Sequence, residues 1–164
     1  KTGREDHSLG THDHGPEIDE LWTQYLRVMR IIVVALIGGV AAFCMVVLAT
    51  FESAADSLGL VGSVALGVAV LSIMVKLVVP GMIGSAKNGS PLTELVGLYQ
   101  VRLIIGLSVL EGAALLNLVA FQAEQHWSSL VAAGVLVLFM LASWPSRAKI
   151  ESWIKRQQEM AELG

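Results

Sequence analysis

Residues 102–121 read RLIIGLSVLEGAALLNLVAF: nearly every side chain is apolar or small, yet one carboxylate, Glu111, stands in the middle. The stretch is long enough to cross a bilayer, since about 20 residues rising 1.5 Å each match a hydrocarbon core of ~30 Å. Three other apolar blocks, at about 31–51, 58–79 and 129–144, have the same character. None alternates apolar with polar residues as a barrel strand does; IIVVALIGGVAAFCMVVLATF, residues 31–51, shows no such alternation. The predicted fold class is all-α, a polytopic membrane protein with four transmembrane helices at about 30–51, 58–79, 102–123 and 127–144.

Composition agrees. Hydrophobic residues make up 54% of the chain and charged residues 15%, against about 25% charged in an ordinary soluble domain. Too little polar surface remains to coat a water-soluble globule. The net charge of −3 is spread over tails and connections, which predicts no nucleic-acid partner. The bilayer is the first partner. The single cysteine, Cys44, allows no intramolecular disulfide and reads as a small buried apolar side chain.

Basic residues set the expected orientation. All 11 Lys and Arg lie in the N-terminal segment, in the connection between the second and third helices, in the C-terminal segment, or at helix ends beside these. The connections holding Glu52 and Asp56, and Glu124 and His126, contain none. The positive-inside rule then predicts a multipass protein of the cell membrane with both termini cytoplasmic.

The ends differ from the middle. Residues 1–15, KTGREDHSLGTHDHG, have no apolar periodicity and are expected to form a disordered cytoplasmic tail. His7, His12 and His14, with Asp6 and Asp13, are metal-ligand types, but their spacing matches no established site. No metal or other cofactor is assigned. From Pro16, the residues Ile18, Leu21, Trp22, Tyr25, Leu26 and Met29 form one helical stripe, an amphipathic lead-in to a transmembrane domain spanning 16–144. Residues 145–164 mirror it: Ile150, Trp153, Ile154 and Met160 share a face, while Lys149, Lys155 and Arg156 lie elsewhere. Such a cytoplasmic amphipathic helix suits anionic headgroups or a protein partner. Trp22, Trp127, Trp144 and Trp153 are expected at the membrane interface.

Glu111 carries the functional question. A charge at mid-bilayer costs about 2.5–3.5 kcal/mol on insertion scales, and desolvation penalises the ionised form of a carboxyl. Glu111 lies nine residues beyond Arg102, about 13 Å along a helix, and no Lys, Arg or His of another helix shares that depth. The sequence therefore predicts a neutral carboxyl, or one paired with a cation that the chain does not supply. Ser108 and Gln100 share its helix face and join it as candidate ion-binding residues. Gly38, Gly39, Gly67, Gly112 and Gly134 are candidate helix-packing positions, because small residues let backbones approach where lipid gives no hydrophobic force. RIIVVALIGGVAAF (30–43) and RLIIGLSVLEGAALL (102–116) also suggest a weak duplication, which sets Gly38 opposite Glu111 and Gly39 opposite Gly112.

The stretch from Gly59 to Ala123, with Lys87, Asn88 and Pro91 in its connection and Glu111 in its second helix, resembles the helical hairpin of the rotary ATP synthase proteolipid, subunit c. That resemblance implies an ion-binding carboxylate at Glu111, a cytoplasmic polar loop at 87–91, and assembly into an oligomer.

Two functions follow as expectations. In the first, the chain is an oligomeric transport or rotor-like subunit that binds H⁺ or Na⁺ at Glu111. The alternative is a non-catalytic scaffold or accessory subunit of a membrane complex, with Glu111 a protonated packing residue and the cytoplasmic helices binding a partner. An enzyme is not expected: Ser63, Ser72 and Ser108 have no histidine at their depth, and Glu111 has no second acid.

Overall fold

In a computed structural model the described residues are 16–53, 55, 57–82 and 92–162. They form five helices: α1 Pro16–Ala49, α2 Leu60–Met82, α3 Leu92–Glu124, α4 Trp127–Ala142 and α5 Arg147–Glu162. There is no strand among the described residues. The 1–15 tail with its histidines lies outside them, as do Asp56 and the connection holding Lys87, Asn88 and Pro91.

Helices α1 to α4 run up and down, and α3 is the hub, packing against α1, α2, α4 and α5. Three helices, α1, α2 and α3, are long and apolar enough to cross a membrane, or four if α4 and α5 are taken together across the 75° bend between them. Helix α4 alone has 16 residues, about 24 Å. The N-terminal lead-in is no separate element, because α1 continues unbroken from Pro16 through the apolar block. Helix α3 likewise starts at Leu92, ten residues before the predicted boundary at 102. Each of these two helices is about 50 Å long.

That extra length explains why there are two cores. In the larger, Val33, Val40 and Val47 of α1 pack against Leu107, Leu110, Leu118 and Phe121 of α3 and Leu136 and Met140 of α4. The seven-residue spacing on α1 keeps one stripe toward the bundle. A second cluster joins the extended ends, with Trp22 and Met29 of α1, Leu95 and Val96 of α3, and Ile150 and Ile154 of α5. The apolar face of α5 thus packs on its own chain, which is why Ile150 and Ile154 are buried.

Helix α5 begins after Pro145, which has no N–H to continue α4. Ser146 caps it, its Oγ accepting from the Lys149 N–H at 3.4 Å. The turn between α3 and α4 is closed by Gln125 at φ 53°, in the left-handed region where glycine is usual. Its N–H donates to Phe121 O at 2.7 Å and its side-chain amide to Gln122 O at 3.2 Å. These bonds hold the strained residue in place.

Candidate functional site

Glu111 lies 13 residues before the end of α3, about 20 Å from that end. The carboxylate is half-buried and turned toward α1: a Cβ added at Gly39 would lie 3.7 Å from Glu111 Oε1. A methyl there would be in ordinary van der Waals contact with the acid, so α1 lies directly against it. Among the described residues Glu111 accepts no hydrogen bond and makes no ion pair.

The other predicted site residues do not gather around it. Ser108 is on the same face one turn away but exposed, and Gln100 is half-buried about 16 Å along the helix. Gly38, Gly67, Gly112 and Gly134 are exposed, with nothing within 4 Å of an added Cβ. Within the chain, tight packing is made by other small residues. On α2 these are Gly62, Ala65, Ala69 and Ser72, at helical spacing on one buried face. Gly67 is two residues from Ala65 and from Ala69, about 200° around the helix, and so faces outward.

The interfacial tryptophans also separate. Trp127 and Trp144 are exposed, but Trp22 is buried in the second cluster and Trp153 packs on Tyr99 with ring centroids 5.6 Å apart.

Two polar contacts that hold the bundle were not singled out in the sequence. Asn117 is fully buried, and its Nδ2 donates to Ala65 O of α2 at 3.0 Å and to Ala113 O at 2.8 Å. Its Oδ1 is buried with no partner. The single Asn of this mostly apolar helix was the available signal, since an amide in hydrocarbon must find a partner.

Glu124 is the second. Its carboxylate accepts the N–H groups of Gly59 (3.0 Å), Val61 (2.8 Å) and Gly62 (2.9 Å) at the start of α2. Gly59 occupies the cap position, its carbonyl accepting from the Ser63 N–H at 3.1 Å, and it has no side chain to cap with. Glu124 fills that role from another helix, where the helix dipole also favours an anion. Beside it Thr50 Oγ1 donates to Gln122 Oε1 at 2.9 Å, joining α1 to α3. Phe51 stacks on Phe121 with centroids 5.7 Å apart, and Trp127 packs against both rings. This end of the bundle is therefore held by several polar contacts, while among the described residues no hydrogen bond or ion pair involves Glu111 itself.

No protein-family model matches the chain, and neither a curated protein nor a solved structure does.

Proposed function

We propose that this is a small multipass membrane subunit, oligomeric, that takes up and releases a proton at Glu111, in the manner of the proteolipid hairpin that residues 59–123 resemble. The observation that carries the reading is the setting of that carboxylate, halfway down the hub helix against Gly39, with no cation or donor among the described residues. An isolated acid at that depth is stable as the neutral form and can give up its proton only when a partner or water reaches it. The competing role is an interhelical packing bond; among the described residues Asn117 makes one and Glu111 does not.

A proton is favoured over sodium on chemical grounds. A hard cation collects several oxygen ligands, and among the described residues Glu111 is the sole carboxylate in the middle of the helices. In the scaffold alternative the cytoplasmic helices bind a partner, and the burial of Ile150 and Ile154 within the chain leaves α5 its polar face for that role.

In this reading α4, with its flanking Trp127 and Trp144, completes a fourth span. The end carrying Lys76, Arg102, Arg147 and Lys149 is cytoplasmic, by the positive-inside rule.

The test is labelling by a hydrophobic carbodiimide, which attacks protonated carboxyls, on the protein in lipid vesicles and read by mass spectrometry. Labelling at Glu111 that falls with rising pH, and is absent in Glu111→Gln, is the expected result. Sodium protection at fixed pH would reassign the site to Na⁺. Absence of labelling at every pH would refute an exchangeable site.

A further inference from the structure

Lys76 and Arg102 are both set well inside the ends of their helices, and both line one cavity. It has a volume of about 230 Å³ and lies between α2, α3 and α5 at the last turn of α4. Tyr99, Leu103, Gly106 and Trp153 form much of the rest of its wall, and among the described residues no carboxylate lines it. The cavity holds roughly eight waters' worth of liquid, more than a lone halide needs.

The donors around it are incompletely used. The guanidinium of Arg102 lies over the Trp153 ring, 5.6 Å from its centroid, and its Nε is buried with no acceptor. A buried cationic donor left unpaired is costly, and native structures rarely keep one without a ligand, ion or water. Lys76 Nζ donates to Phe139 O at 3.0 Å and to Ser143 Oγ, which leaves one of its three N–H groups free. Tyr99 lines the same space, and its hydroxyl has no hydrogen-bond partner among the described residues. Leu103 and Leu107 give the lining an apolar part.

We infer that this cavity binds a phosphate group, held by the fork of Arg102, the free N–H of Lys76 and the Tyr99 hydroxyl, with the ligand's apolar part along Leu103 and Leu107. Arginine's planar fork matches phosphate oxygens two at a time, and lysine adds a point charge. Basic pockets between membrane helices suit anionic lipid headgroups. A soluble phosphate ester offers the same group without the tails. The assignment is independent of Glu111, which lies about 13 Å further along α3 from Arg102.

The experiment uses the full chain in a neutral maltoside detergent. Phosphatidylglycerol, phosphatidylcholine and glycerol phosphate are titrated in turn, with bound ligand counted by native mass spectrometry and thermal unfolding followed in parallel. One phosphatidylglycerol should be retained in preference to phosphatidylcholine. Arg102→Gln should lower that affinity about tenfold or more. Gly106→Leu tests the space without touching a charge. A Cβ there meets only Lys76 Cγ, at 3.9 Å, so the backbone tolerates a side chain while a larger one fills the cavity and should block binding. Lys155→Gln, on the exposed surface of α5, should bind as the parent does. Binding of glycerol phosphate, abolished by the same two substitutions, would uphold the site and identify a soluble ligand as its source. Equal retention of both lipids with no glycerol phosphate bound, or parent-like binding by both Arg102→Gln and Gly106→Leu, would overturn the inference.

Discussion

Removing the Glu124 carboxylate should unfasten the start of α2, and the structure gives the size of the loss. Three N–H groups, those of Gly59, Val61 and Gly62, depend on it. Gly62 is buried, and a buried donor left unpaired costs about 1–3 kcal/mol. Val61 is exposed, so its N–H can turn to water and loses little. With the usual worth of an N-cap, about 1 kcal/mol, Glu124→Ala should destabilise the bundle by about 2 kcal/mol. Glu124→Gln keeps an acceptor oxygen but gives up the charge at the helix start, and should cost about 1 kcal/mol.

Gly59 supplies the decisive control. A Cβ there would collide with the Glu124 carboxyl group, which contributes all three of its nearest atoms. Gly59→Ala should therefore be damaging while Glu124 is present and nearly silent once Glu124→Ala has removed the carboxyl. The coupling in a double-mutant cycle should be about 1 kcal/mol or more. The assay is reversible unfolding by SDS in maltoside micelles, followed by far-UV circular dichroism. Additivity of the two substitutions within about 0.3–0.5 kcal/mol would refute the clasp.

Two further outcomes are expected in the same assay. Asn117→Ala should lose about 1 kcal/mol with the bond to Ala65 O, whereas Asn117→Leu should lose less, because it also removes the unpartnered Oδ1 and fills the space; equal losses would point to simple volume at this position. Phe121→Ala should cost about 2 kcal/mol or more by leaving a cavity between Phe51 and Trp127, and Trp127 fluorescence should shift to longer wavelength as water reaches the ring; an unchanged spectrum would exclude the three-ring cluster.

The helical class could be read in one dimension. Hydrocarbon length and the absence of polar alternation leave few other structures, so 31–51, 58–79 and 103–123 each fall largely within an observed helix. The acid at 111 was equally plain, because one carboxylate in twenty apolar residues needs a reason.

What sequence left open was rotation and pairing. Spacing alone did not show that Gly67 turns away from α3 while Ala65 and Ala69 turn toward it, since apolar residues surround α2 on every side. Nor did it show that Ile150 and Ile154 find Trp22 and Leu95 rather than a lipid surface, a contact between residues more than 50 positions apart. Glu124 read as a charge in a connection and became a cap for α2, and Lys76 and Arg102 read as orientation markers and became two walls of one cavity. Length and polarity are properties of each segment, so the chain states them by itself. Which face meets which neighbour depends on how five helices fill one volume, and only the packed structure decides it.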